Sequence, residues 1–339
     1  MKRLKKIMGC LPKCALLLLI THSSASYSDS NQTPSTLAVK AHQSLLVNSK
    51  MAGDRIFSVG GRGHILYSDN QGDSWTQANS PTQMLLTAID FIDDKNGWAV
   101  GHDSVILGTN DAGENWTILF EDAKLEKPLL DVLFFDPKKG LAIGAYGLIM
   151  RTEDGGQTWQ EFTINNIDWH FNSIMRVGDN HVFIAGEAGT LIRSPDLGAT
   201  WTPLESPYEG SFFGAMQRST ETGHQLIIYG LQGHAFSSID MGDQWTEVDT
   251  GVTTNILGGT FTALGDTILL GAGGTVLQQS KGTTEFKRLP YRGFENLTST
   301  IAISASELVV FGMRGASKLS LPDPSNITSA VSLSDVSTN

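Results

Sequence analysis

An all-β fold, a seven-bladed β-propeller of four-stranded antiparallel blades, is predicted by three features of this 339-residue sequence. First, an apolar run ends on an equivalent glycine at Gly60, Gly101, Gly144, Gly186, Gly230, Gly271 and Gly312, at intervals of 41, 43, 42, 44, 41 and 41 residues. Second, most copies continue as G-x-x-G with apolar residues behind, as in "GGRGHIL", "GAYGLIM" and "GAGGTVL"; the second copy, "GHDSVIL", carries Ser104 where the second glycine belongs. Third, five copies run on into a turn closed by tryptophan: "SDNQGDSW", "TNDAGENW", "TEDGGQTW", "SPDLGATW" and "SIDMGDQW". A period of 40 to 45 residues built from short strands marks propeller blades, not a helical solenoid. Seven origins give seven blades.

The repeat at 171–205 shows how the elements follow. "FNSIMRV" is an innermost strand, "GDN" a turn, "HVFIAG" the second strand, "EAGTLIRS" the hairpin into the third, and "PDLGATW" the turn into the fourth. Short strands with Gly and Asn/Asp punctuation suit an antiparallel blade. In the tryptophan turns, Asp111, Asp154, Asp196 and Asp240 are expected to accept hydrogen bonds from backbone N–H groups, with the glycine at positive φ. Asn70 takes the same place in blade 1, where its amide oxygen still accepts. Trp75, Trp116, Trp159, Trp201 and Trp245 then supply apolar surface to wedge between blades. Blade 6, "QQSKGTTEFKR", lacks both Asp and Trp, and blade 7 stops after its third strand. Because an unfilled sheet edge invites aggregation, the N-terminal strand "TLAVKA" (36–41) is expected to add to blade 7 as its outer strand and close the ring.

The chain divides into a cleaved signal peptide at 1–26, a loose lead-in at 27–36, the propeller at 37–321 and a disordered tail at 322–339. The signal reading rests on basic "MKRLKK", the short apolar core "CALLLLI" and small residues near Ala25. It implies export, to the periplasm in a bacterium. Both cysteines, Cys10 and Cys14, leave with that segment, so no disulfide, thiol nucleophile or cysteine metal site is expected. Five basic residues and no acidic ones leave too, turning a formal charge of −11 into 19 basic against 35 acidic residues, or −16. Such a field disfavours nucleic acid and anionic lipid. No direct membrane insertion is expected, and a monomer is.

The tryptophan turns are bacterial-neuraminidase-type (BNR) repeats, or Asp boxes. With the G-x-x-G hairpins before them and a seven-fold count, residues 37–321 resemble the photosystem II assembly and stability factor family. The resemblance implies a non-catalytic propeller that attends the assembly of membrane proteins. Relatives in non-photosynthetic bacteria tend to be encoded near RND-type transporters, so it also implies an exported accessory factor for a membrane complex of that kind.

Propeller geometry places the G-x-x-G hairpins on one face with the loops that enter each innermost strand, and the Asp boxes on the other. The first face collects Arg62, Tyr146 and Arg314 from the hairpins, and Trp169, His170, Phe212, Tyr291 and Arg292 from the entering loops. Arginines beside aromatics on loops over a rigid scaffold resemble a protein-recognition surface. The bland reading is that the aromatics pad blade junctions and the arginines are solvated or paired. The seven mature histidines are scattered and the box carboxylates lack calcium-loop spacing, so no metal and no cofactor is expected. Two other functions stay open. A sialidase-like hydrolase would draw on Arg62, Arg292 and Arg314 with a Tyr291–Glu295 pair, but Tyr291, Arg292 and Glu295 crowd into one loop. A soluble ligand-binding sensor is the other.

Overall fold

The computed structural model describes residues 33–322. The expected signal segment, residues 27–32 of the lead-in and the tail from 323 onward lie outside the described residues. Seven antiparallel sheets follow one another along the chain, six of four strands and the last of three. Blade 4 shows the plan: Phe171–Val177, His181–Gly186, Leu191–Ser194 and Thr202–Pro203 pair in sequence order. The other innermost strands are Leu46–Ala52, Leu86–Phe91, Leu129–Phe134, Phe212–Thr220, Ile256–Phe261 and Leu297–Ala302.

Both glycines of the hairpin motif are there because backbone passes too close for a side chain. A Cβ on Gly186 would stand 2.2 Å from the His170 carbonyl oxygen, where the chain enters its own blade. One on Gly189 would stand 2.4 Å from the Tyr208 carbonyl oxygen, on the loop entering the next blade. The exception in blade 2 follows the same logic. Ser104 is fully buried at φ 52°, and its hydroxyl donates to the Lys127 carbonyl at 2.6 Å, binding the loop that a glycine would let approach.

Each Asp box is a closed hydrogen-bonded turn. In blade 4 the Gly198 N–H donates to Ser194 Oγ (2.7 Å), which donates to Asp196 Oδ1 (2.9 Å). The Thr200 N–H and hydroxyl donate to the two Asp196 oxygens, each at 2.7 Å. The same relay runs through Asp111, Asp154 and Asp240, and through Asn70 in blade 1. The hydroxyl that opens each box is thus as much a part of the turn as the expected carboxylate.

The turn is shaped to dock. In all five boxes the glycine abuts the second strand of the preceding blade: Gly72 on Val309, Gly113 on Phe57, Gly156 on Trp98, Gly198 on Leu141 and Gly242 on Phe183. The tryptophans sit in the junction clusters, Trp116 fully within one and the other four packed against theirs. Aromatic rings order two junctions alike. Phe57 stacks on Phe91 at 4.3 Å and Trp98 on Phe134 at 3.5 Å, and each second ring meets the edge of a box tryptophan, Trp116 or Trp159. In blade 6 the missing box carboxylate is replaced from another turn: buried Asp266 accepts from the Lys281 N–H (2.9 Å) and the Gln278 amide (2.7 Å). No tryptophan covers that junction, and a groove of about 660 Å³ opens there between Ile227 and Phe286.

The expected closure strand is not what the structure shows. Blade 7 has three strands, Leu297–Ala302, Glu307–Gly312 and Gly315–Ser320. Residues 36–41 lie instead against blade 1. The Gln77 side chain accepts from the Ala38 N–H (2.9 Å) and donates to the Thr36 carbonyl (3.1 Å), supplying the pair of bonds a neighbouring strand would give. Leu37 and Val39 face solvent, and of the segment only Ala41 is buried, in the cluster at the junction of blades 1 and 7, so no strand face is added to a blade. The ring is sealed by side chains. Leu46, Ile56 and Leu66 of blade 1 pack on Val309 and Phe311 of blade 7, Trp75 meets Phe311 edge-on at 5.7 Å, and the Thr298 hydroxyl donates to the Leu46 carbonyl. The open edge strand carries Lys318, paired with Asp73 of the blade 1 box at 2.5 Å, and a charged edge deters strand addition.

Two outcomes test this. Asp196→Ala removes three hydrogen bonds and should cost about 1–3 kcal/mol in urea unfolding, with Asp196→Asn costing less, as Asn70 shows. The Thr200 hydroxyl and N–H hold the Asp196 carboxyl below its ordinary value, so its contribution is complete above about pH 4 and lost as pH falls through the lower folded value; the Asn variant should blunt that acid sensitivity. Phe311→Ala should cost about 3–5 kcal/mol, more than deleting residues 33–38, whose bonds lie largely exposed. The reverse order would return closure to the N-terminal segment.

Candidate functional site

The hairpin tips put side chains where little else holds them. The second residue after the first glycine is left-handed in blades 1 to 6: Arg62 (φ 60°), Asp103 (55°), Tyr146 (56°), Ala188 (52°), Gln232 (57°) and Gly273 (63°); Arg314 of blade 7 is not. Glycine suits that backbone best, yet five blades place a side chain on it, and Arg62, Tyr146 and Gln232 are exposed.

These side chains form two sectors. On blades 3 and 4 the Tyr146 and His170 rings meet edge to face at 4.8 Å. The Glu187 carboxylate accepts from the His170 N–H (3.2 Å) and lies 3.7 Å from His170 Nδ1. The Gly147 N–H donates to the Trp169 carbonyl at 2.9 Å, tying the entering loop to the hairpin. Tyr146 and Trp169 nevertheless remain 58% and 50% exposed, an uncovered aromatic surface.

The second sector lies at blades 7 and 1, which are neighbours. Arg62, Arg292 and Arg314 are all exposed. The Arg62 carbonyl accepts from the Ser35 hydroxyl at 2.8 Å, so the N-terminal segment passes this hairpin and leaves the guanidinium free to solvent. Tyr291 is half-buried in the blade 6–7 junction, and its hydroxyl donates to Glu295 Oε1 at 2.8 Å. Burial and that carboxylate raise the phenol above its ordinary value. Glu295 is held low by a backbone N–H, by Tyr291 and by the Arg314 charge, so Arg314 is the arginine that faces this pair.

Phe212 departs from expectation. It is fully buried between blades 4 and 5 with Ala185, Ile228 and Phe236, so its side chain cannot meet a partner. The cause is a β-bulge. In every blade the register slips one residue into the innermost strand, between Phe212 and Gly214 here. The bulged residue turns toward the axis: Val47, Thr87, Leu130, Asn172, Phe213, Leu257 and Thr298 all line the central cavity, which holds about 450 Å³. Phe213, not Phe212, reaches open space.

That cavity also holds groups the sequence reading passed over. Asp131 stands one residue past the bulge of blade 3, where the other blades carry Asn48, Ala88, Ser173, Gly214, Gly258 and Ser299. Its oxygens accept from the Val132 N–H (2.9 Å) and, across the junction, from the Ile174 N–H (2.8 Å). Burial pushes its carboxyl up to about 7; the two N–H groups oppose this, nearby Asp90 adds to it, and Lys50 counters. Further along the innermost strands, Lys50 pairs with buried Asp90 at 2.8 Å, and Asp90 also accepts from the Phe134 N–H of blade 3. Burial opposes the Lys50 charge, but the Asp90 carboxylate more than offsets it and raises the ammonium. A carboxylate inside "LLDVLF" was the available signal. Among the described residues no cluster of three His, Cys, Asp or Glu is placed to hold a metal, and no helix is long and apolar enough to cross a membrane.

Comparison with known proteins bears on this geometry. Residues 119–210 match the family model described as photosynthesis system II assembly factor YCF48. A chloroplast photosystem II stability/assembly factor, HCF136 of Cyanidioschyzon merolae, is 40% identical over 62 residues, which span 17% of this chain and only 14% of that protein. A solved structure described as YCF48 bound to D1 peptide overlays with a TM-score of 0.67, covering 84% of this chain and 95% of that one at 17% identity. The YCF48 structure from Cyanidioschyzon merolae overlays with 0.68, covering 86% and 98% at 18% identity. At those identities the two structures speak for the fold. The chain thus has the fold of a seven-bladed β-propeller with BNR repeats, and its residues 119–210 are similar to the photosystem II assembly factor family.

Proposed function

We propose that this chain is an exported, non-catalytic accessory factor that holds a segment of a membrane protein on its loop-rich face while a membrane complex assembles. The observation that carries this reading is the exposed face itself, where two sectors of side chains, Tyr146 with Trp169 and Arg62 with Arg292 and Arg314, stand on hairpins and entering loops that a rigid ring fixes in place. Exposed aromatics and arginines are the residue types that dominate protein interfaces. A similar propeller described as bound to D1 peptide supports a peptide segment as the ligand. In a protein this acidic, three arginines in one sector would steer an acidic or carboxylate-bearing segment to that place. An RND-type transporter is the partner class to test first, and a monomer suffices for the role.

Hydrolase chemistry is disfavoured on geometry. A sialidase-like site needs groups from several blades converging on one substrate, whereas Tyr291, Arg292 and Glu295 belong to a single loop.

Affinity capture from solubilised membranes tests the proposal. The wild-type chain should retain a specific membrane protein, and the Arg62/Arg292/Arg314 triple alanine variant should lose most of it with unchanged melting temperature, because all three side chains are exposed. An identical catch from both would remove the arginine sector; turnover of a fluorogenic sialoside would remove the non-catalytic reading.

A further inference from the structure

The central cavity is built as a site of its own. We infer that it binds a cationic nitrogen, an alkylammonium or guanidinium group, between the Asp131 carboxylate and the Tyr229 hydroxyl. This goes beyond the partner-binding reading, since the cavity keeps its chemistry whether or not the outer face captures a protein.

Three observations converge. Tyr229 comes from the second strand of blade 5 and reaches the cavity past Gly214, where a Cβ would stand 2.5 Å from its ring and its oxygen. The side chain is only 6% exposed, yet its hydroxyl makes no hydrogen bond among the described residues; its surroundings are burial and the field of Asp131. The hydroxyl opens onto the cavity and is not sealed away from it, so it is free to pair with a ligand held there.

The second observation is charge. Lys50 pairs directly with Asp90 at 2.8 Å and reaches Asp131 only through its field, so Asp131 has no direct ion pair among the described residues. Its two backbone N–H donors leave further lone pairs facing the cavity. The groups able to titrate around it are Lys50 and Asp90 on the innermost strands of blades 1 and 2, and Tyr229 opposite; blade 4 presents Ser173 and Ile174 there. Arg176, further along that strand, is spent on the Phe135 and Asp179 carbonyls.

The third is shape. At the level of Asp131, blades 5 and 6 carry Gly214 and Gly258; the Tyr229 ring occupies the space above Gly214 and so brings its hydroxyl to the cavity. At the bulge level Val47, Leu130, Phe213 and Leu257 are apolar, and the polar Thr87, Asn172 and Thr298 donate to the Leu129, Phe212 and Leu46 carbonyls, which leaves a largely apolar collar. An apolar collar over a single unpaired carboxylate suits an aliphatic stem ending in a cation. Such a group arises from a free amine or from a lysine or arginine of a bound segment.

Calorimetric titration of the full chain with n-butylammonium, agmatine and a lysine-ended peptide tests this, with n-butanol as the neutral control. Saturable binding of a cation and none of n-butanol is expected, weakened at least about tenfold by Asp131→Asn and several-fold by Tyr229→Phe. With the carboxyl at about 7, the ionised fraction and hence affinity should rise about tenfold from pH 6 to pH 8 in the wild-type chain, with proton release seen as a buffer-dependent heat. This arm needs no variant to fold. Equal binding of free amines and peptide assigns the site to small amines; binding of the peptide alone assigns it to a partner's side chain. Absence of binding by all three cations, or affinity indifferent to both pH and Tyr229→Phe, would overturn the inference. Membrane capture by the outer face is read separately, so either proposal can fail alone.

Discussion

The docking of each Asp-box glycine onto the second strand of the blade before it is the constraint on which the rest of the molecule depends. A propeller has no single core; it has junctions, and each must fix the angle between two twisted sheets. The box does so by spending a carboxylate and a hydroxyl on its own backbone, which leaves a side-chain-free glycine in contact with Val309, Phe57, Trp98, Leu141 or Phe183 and an indole to cover the gap. Where the box is lost, in blade 6, Asp266 restores the turn but not the cover, and a groove remains.

Fixing the junctions from the box face frees the opposite face. There the same economy of backbone contacts, carried by the two hairpin glycines, locks every entering loop while the residue between them points outward. Arg62, Tyr146 and Gln232 are therefore presented by rigid hairpins, and little ordering cost is left for binding. The bulge in each innermost strand adds a second layer, turning one residue per blade into the axial cavity and setting Asp131 just beneath.

The periodic part of this design was legible in the sequence because each blade repeats the same physical demand. Gly186 and Gly189 recur since the same two backbones approach in every blade, and Asp196 recurs with its turn. What did not repeat was harder to read. The N-terminal segment looked like a strand because blade 7 lacked one, but a single side chain, Gln77, offers it better-placed bonds beside blade 1. Phe212 and Phe213 are adjacent in sequence and opposite in environment, and only the bulge decides which faces the axis. Asp131 and Tyr229 lie 98 positions apart in blades 3 and 5 and line one cavity only in the closed ring. The aromatic and arginine residues of the outer face were placed by hairpin equivalence alone, and their exposure follows from it.

Native-state hydrogen exchange tests the central claim most directly. The amides of Gly72, Gly113, Gly156, Gly198 and Gly242 each donate to a box hydroxyl at a blade junction. If docking of these turns holds the ring together, all five should exchange only as slowly as the innermost strands, through global opening. Exchange at the rates of ordinary surface turns, with the strands still protected, would contradict it.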